Sequence, residues 1–289
     1  MKTIKILFVI LFAAISHGVV AQVYETNITV QTFAGSGFYG YLDGVGTQTM
    51  FHDPASIVAD SQGNLFVGDG VNLRIRQIAP DATLSPFVGG GTQLPAIGTN
   101  AALVIGNMAI DRHDTIWMIQ PSGYYYYGPE SALYEITKSA ITTREDLLIS
   151  PAGICVDPSG NVYLSDPNAQ KIYRYATNGL IEVFVGSGNP SYADGNGIFT
   201  AFNGPQCLAA DSAGNIYVFD ANNHMIRKIN QNRDVTTLAG YNSVYYYYRA
   251  MHLIPLTSTG SGWRWPTILK TCWNSMISFA TRRPAAATW

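Results

Sequence analysis

Charge is scarce in this chain: Asp, Glu, Lys and Arg make up 12% of its 289 residues, 17 of them basic and 19 acidic. No basic cluster stands out, so nucleic acid is not expected as a partner, because phosphate binding needs concentrated positive charge. Histidine is limited to five residues. His17 and His252 lie towards the two ends, and His52, His113 and His224 fall at unlike places, whereas zinc ligands must converge. Neither G-x-S-x-G nor H-E-x-x-H occurs. No catalytic residue, metal ligand or cofactor is therefore expected.

Only three cysteines are present. Cys155 and Cys207 sit in the apolar runs GICVD and QCLAAD, where a thiol behaves as a small buried hydrophobe, and no disulfide between them is expected. Long apolar runs are also rare. Lys2 and Lys5 precede one from Ile6 to Ile15, and Val19-Val20-Ala21 follows with small residues. Residues 1–21 read as a Sec-type signal peptide cleaved after Ala21, with an apolar core too short to span a bilayer. The expected address is secreted or periplasmic, with no membrane span after signal removal.

What the chain has is repetition, which is sought before any other pattern. DSQGNLFVGDGVNLRIRQI at 60–78 returns as DSAGNIYVFDANNHMIRKI at 211–229, and residues 35–89 align without a gap onto 186–240 at an offset of 151. A weaker copy, ICVDPSGNVYLSDPNAQKIYRY, runs from Ile154, and the most divergent, MAIDRHDTIWMIQ, contains Asp111. Asp60, Asp111, Asp157 and Asp211 anchor four units spaced by 51, 46 and 54 residues. Each unit alternates apolar and polar residues at period two between turn formers, as four short antiparallel strands would. Such units at this spacing predict a β-propeller.

The pattern D-x-x-G-N-[apolar]-[aromatic]-V-x-D-x-x-N-x-x-I-R-x-I resembles the NHL repeat. The resemblance covers about residues 28–240. It implies an all-β fold of four-stranded antiparallel blades, with about four complete blades of the six common in the family, and an incomplete ring. It also implies that first strands line the channel, and that inter-unit loops share one face with the second-to-third-strand hairpins. NITVQTFAG at 27–35 resembles a unit's last strand, able to pair with the final blade and shut the ring. The propeller is assigned to residues 22–248.

Within one chain, a residue that recurs in every blade builds blades, and one that occurs once is free for contact. Asp69, Asn72, Asp166, Asp220 and Asn223 are accordingly read as structural turn residues. Asp43 and Asp194 introduce Gly-rich loops with a single carboxylate each, too few oxygens for calcium. Arg76 and Arg227 are expected to pack along a strand or pair with a turn aspartate. The second unit measures 25 residues from Asp111 to Ile136, against 18 from Asp60 to Ile78, and its insertion carries SGYYYYGPES. Tyr39, Tyr41, Tyr124, Tyr125, Tyr126, Tyr127 and Tyr192 are the candidate ligand contacts, since tyrosine offers apolar area and a hydroxyl at little entropic cost.

The leading expectation is a non-enzymatic binding or scaffold module whose partner is a protein, peptide or glycan. The alternative implied by the resemblance is a propeller enzyme akin to metal-dependent lactonases or peptide-amide lyases, and the third is a truncated product without function. The third arises from residues 249–289. From Ala250 onwards there is no Asp or Glu, and Trp263, Trp265, Trp273 and Trp289 are four of the five tryptophans. A small basic domain, a membrane-active tail and a frameshift near Arg249 compete. Read from the third base of codon 249, synonymous codons permit FNGIRVAVAD, matching FNGPQCLAAD, and Trp265-Pro266 forces the alanine before its aspartate. A DNA sequence across codons 240–289 with no repeat in the alternate frame would end the frameshift reading.

Overall fold

The structure is a computed structural model that describes residues 30–90, 103–120, 131–137, 140–147 and 150–240. The proposed signal peptide and the segment from 249 onwards lie outside the described residues. Blade I contains β1 (Gly44–Val45), β2 (Pro54–Ala59), β3 (Leu65–Asp69), β4 (Arg74–Ile78) and β5 (Thr83–Gly89). Blade II contains β6 (Met108–Ile110), β7 (Ile116–Gln120), β8 (Ser131–Ile136) and β9 (Ile141–Leu147). In blade III they are β10 (Gly153–Val156), β11 (Val162–Asp166), β12 (Lys171–Tyr175) and β13 (Ile181–Val185). Blade IV has β14 (Gly195–Asn196), β15 (Pro205–Ala210), β16 (Ile216–Asp220), β17 (Met225–Ile229) and β18 (Asp234–Gly240).

The four longer strands of each blade form a meander in which each pairs antiparallel with the next in sequence. The four sheets are separate, as blades of an incomplete β-propeller are. Blades I and IV carry a fifth, two-residue strand at the outer edge, β1 on β5 and β14 on β18. The two-residue strands follow Asp43 and Asp194, in segments that read from sequence as plain inter-blade turns. Two residues, one of them glycine, give no periodic signal. The pairing still shields part of an edge that would otherwise present open hydrogen-bonding groups.

The anchor aspartates explain why the hairpins turn where they do. Asp211 Oδ1 accepts the Ala213 and Asn215 amides at 3.0 and 2.8 Å, while Oδ2 accepts Asn215 Nδ2 at 2.8 Å and the Tyr217 hydroxyl at 3.0 Å. Asp157 repeats the set with Ser159, Asn161 and Tyr163, and Asp111 does so with His113, Thr115 and the Trp117 indole. Gly63, Gly160 and Gly214 close the turn at φ between 80° and 89°, a region costly for a residue with Cβ. Burial acts most strongly on Asp211 and pushes its pKa up, but hydrogen bonds from Asn215, Tyr217 and Ala213 hold it below the ordinary value. A depressed native pKa contributes stability that is present above the unfolded pKa and lost as pH falls through the folded one. Asp211→Asn is therefore expected to destabilise at pH 7, with the gap from wild type closing below the ordinary aspartate range. Urea unfolding at pH 7 and pH 3 reads this directly, and an equal gap at both would contradict it.

The cores lie between blades, so no blade buries its faces alone. Phe66, Ile75 and Val88 of blade I meet Met108, Ile116, Met118 and Tyr134 of blade II. Trp117, Ile119 and Leu133 of blade II meet Ile154, Val162 and Leu164 of blade III. Tyr163, Ile172 and Phe184 of blade III meet Phe202, Leu208, Val218 and Ile229 of blade IV. Strands of neighbouring blades are also hydrogen-bonded directly: Ser56 Oγ accepts the Met108 amide at 3.0 Å, and Ser165 Oγ donates to the Gln206 carbonyl. A Cβ on Gly153 would press into that same carbonyl, so glycine sets the spacing of blades III and IV.

The described part of the expected closing strand, residues 30–35, forms no strand. A strand needs a neighbour, and none of the described sheets runs beside it. Its anchoring nevertheless matches that of β13 at the offset of 151. Gly35 N donates to Gly46 O at 3.1 Å and Ser36 N to Thr49 O at 2.8 Å, as Gly186 does to Gly197 and Ser187 to Thr200. Ala34 and Phe51 cover Val67, Ile78 and Leu84 as Val185 and Phe202 pack with Val218, Ile229 and Val235.

Candidate functional site

The second-to-third-strand hairpins of blades I and IV meet the loops that enter those blades, and a buried ion-pair network joins them. Asp220 ends β16 fully buried, and its Oδ1 accepts the Asn203 amide at 2.7 Å. Its Oδ2 accepts Asn223 Nδ2 at 2.8 Å and Arg227 Nη1 at 2.9 Å. Arg227, also fully buried, spends Nη1 on the Ala201 carbonyl as well, and Nη2 on the Ala193 carbonyl and Asp194 at 2.8 and 2.7 Å. Burial pushes the Asp220 carboxyl above its ordinary pKa, against the hydrogen bonds of Asn223, Asn203 and Arg227. Blade I repeats the network: Arg76 pairs with Asp69 and Asp43 and donates to the carbonyls of Met50 and Leu42. Asn72 bridges Asp69 to the Gly40 carbonyl.

Asp69, Asn72, Asp220 and Asn223 thus tie a hairpin to the incoming loop. The arginines bind that loop at two backbone carbonyls and a carboxylate. A planar guanidinium with several fixed donors suits this task, which a single ammonium cannot perform. The strand registers place Tyr134 and Tyr173 where blades I and IV have arginine. There Gln120 Oε1 accepts the Tyr134 hydroxyl at 3.3 Å, and Asp166 accepts the amides of Ser150, Asn168 and Ala169. The arginine therefore appears in the two blades entered through an Asp-Gly loop.

Tyr41 and Tyr192 are themselves 151 apart, and the structure gives them one task. The Arg76 guanidinium lies 4.7 Å from the Tyr41 ring centre and 4.9 Å from Phe51, and Arg227 lies 4.8 and 5.2 Å from Tyr192 and Phe202. The Tyr41 hydroxyl donates to Asp43 at 3.0 Å. By the rule that separates repeated from singular residues, this pair sits with the building residues, a signal available in the sequence from the spacing alone. Tyr39 is different: its counterpart is Pro190, it is 81% exposed, and its ring lies 5.3 Å from that of His52. Tyr124, Tyr125, Tyr126 and Tyr127 lie outside the described residues.

Among the described residues no three His, Cys, Asp or Glu side chains are gathered as a metal site would require. Cys155 and Cys207 are not joined in a disulfide, and burial, with Asp157 nearby, pushes the Cys155 thiol well above the usual range. No helix among the described residues is long and apolar enough to cross a membrane.

Residues 202–229, from the buried Phe202 to the end of β17, match the NHL repeat family model. The chain thus carries a match to the NHL repeat within a stack of β-propeller blades. NHL repeat-containing protein 2 of Gallus gallus is 38% identical over 95 residues, which is 32% of this chain and 13% of that protein. Human teneurin-1 is 28% identical over 208 residues, 65% of this chain and 7% of that protein. The chain spans a small part of these relatives, and their whole-protein roles do not transfer. Among solved structures, a Staphylococcus aureus virginiamycin B lyase overlaps at TM-score 0.46 with 16% identity, over 64% of this chain and 54% of its own. An auxiliary nutrient binding protein of Bacteroides ovatus overlaps at 0.49 with 17% identity, over 68% and 51%.

Proposed function

We propose that this NHL propeller is a secreted or periplasmic, non-enzymatic binding module that engages its partner through the loop-bearing face. The observation that carries the reading is the division of labour on that face. Its buried carboxylates and guanidinium groups, Asp69, Arg76, Asp220 and Arg227, are consumed in holding the loops. Phe38 and Tyr39 stand 74% and 81% exposed on a loop fixed in this way. Rigid aromatic side chains on a held loop lose little entropy on binding, which favours recognition over acid–base or nucleophilic chemistry.

The test is a binding screen of the purified full chain against peptide and glycan arrays, with elemental analysis and lactone turnover measured on the same preparation. Saturable binding to an array component, without turnover, is the expected result. A stoichiometric divalent ion together with lactone hydrolysis would replace this reading with the enzymatic one.

A further inference from the structure

Blades I and IV provide an internal comparison, because one backbone is written twice with different surface residues. The loop bonds are shared: Gly40 N donates to Phe51 O as Ser191 N does to Phe202 O, and Val71 N to His52 O as Asn222 N does to Asn203 O. The buried network is shared as well. At the exposed and half-buried positions around it the two blades part company. Blade I has Phe38, Tyr39, Leu42, His52 and Val71 where blade IV has Asn189, Pro190, Ala193, Asn203 and Asn222. Phe38, Tyr39, Leu42 and Val71 are all exposed. The backbone needs none of these apolar groups, since blade IV builds the same turns with asparagine, proline and alanine.

Asp53 adds a second, independent difference. It is exposed at φ 59°, and its counterpart Gly204 occupies the same left-handed region at φ 68°. Glycine is the residue this conformation favours, and blade I keeps a carboxylate there instead. We propose that the loop face of blade I is a protein-docking patch, built to take an apolar side chain against Tyr39 and Val71 with a neighbouring Lys or Arg meeting Asp53. This deepens the binding-module reading and rests on it.

The chemistry favours a polypeptide over a sugar. A sugar ring stacked on tyrosine needs several hydrogen-bonding groups around it. Here Asn72 is spent on Gly40 and Asp69, the Tyr41 hydroxyl on Asp43, and Arg74 on the Asn72 carbonyl and the Tyr41 ring. What faces outward is mainly apolar surface, with the Tyr39 hydroxyl, the half-buried His52 and the Asp53 carboxylate at its side, the arrangement of an apolar anchor beside a polar rim.

The experiment uses the full chain as bait for a phage-displayed library of random peptides. The control is the variant carrying all five blade IV residues: Phe38→Asn, Tyr39→Pro, Leu42→Ala, His52→Asn and Val71→Asn. Blade IV shows that this backbone accepts those residues, and circular dichroism checks that the variant folds. Enriched peptides are expected to pair an apolar or aromatic residue with Lys or Arg, to lose at least about tenfold in affinity for the five-residue variant, and to weaken further in salt. Asp53→Gly should remove the salt dependence while leaving the apolar preference. The reverse transfer, placing the five blade I residues on blade IV, should create a second site. Absence of enriched peptides, enrichment unaffected by the five-residue variant, or binding of glycans at the patch instead of peptides would each overturn the proposal. Peptide binding that maps elsewhere on the loop face would leave the binding-module reading standing, whereas turnover on a bound metal would remove both.

Discussion

Arg227→Leu is expected to cost about 3–5 kcal/mol of folding stability, the range for removing one partner of a buried ion pair. The side chain is fully buried and its four contacts cannot be replaced by solvent. Asp220 would remain at 0% exposure with its charge uncompensated, and the loop at 193–194 would lose its tie to β17. Arg227→Lys should recover only part of the loss, since one ammonium cannot reach two carboxylates and two carbonyls. The cost should also depend on pH. Burial already raises the Asp220 pKa in the presence of Arg227, and removing the cation raises it further. A group whose native pKa is raised takes up its proton more readily when folded, so the variant recovers stability as pH falls through that pKa. Urea titrations at pH 7 and pH 4 should therefore show a smaller deficit at pH 4. A loss under about 1 kcal/mol at pH 7, the scale of an exposed pair, would mean that the network is hydrated in solution.

The repeat made much of the blade legible and the site less so. Asp60, Asp157 and Asp211 with Asn64, Asn161 and Asn215 form a local motif, in which one carboxylate satisfies two amides within four residues. Local chemistry of this kind is written in adjacent letters. Asp69 and Asp220 were readable as turn residues, but their ion pairs with Arg76 and Arg227 span a hairpin. The partner carboxylates Asp43 and Asp194 lie 33 residues from those arginines. Only the folded loop brings them together, although the recurrence of Asp43 and Arg76 in one blade pair, and of neither feature in blades II and III, carries the signal. Spacing alone marks Tyr41 and Tyr192 as a recurring pair, and the arginine face against which they lie explains the recurrence. Two-residue edge strands such as Gly44–Val45 have no pattern of their own, and pairing with a neighbouring strand defines them.

The second large effect is expected where blades III and IV meet. Phe202 is fully buried between Phe184, Val218 and Ile229, and Phe202→Ala should cost about 3–5 kcal/mol, since the surrounding sheets cannot collapse onto the void. Its counterpart Phe51 packs on Val67, Ile78 and Leu84 with, among the described residues, Ala34 on the facing side, and it is half-buried. Phe51→Ala should therefore cost well under half as much, because less apolar area returns to water and less cavity forms. The ratio between the two substitutions is more informative than either value. Phe51 stands where a preceding blade would press on blade I, as blade III presses on blade IV, and residues 33–36 are held at the place of that blade's last strand. A Phe51→Ala cost equal to that of Phe202→Ala would mean that three further strands cover this face in solution. A low cost with a sharp melt would mean that the stack of blades is stable with that face open to water.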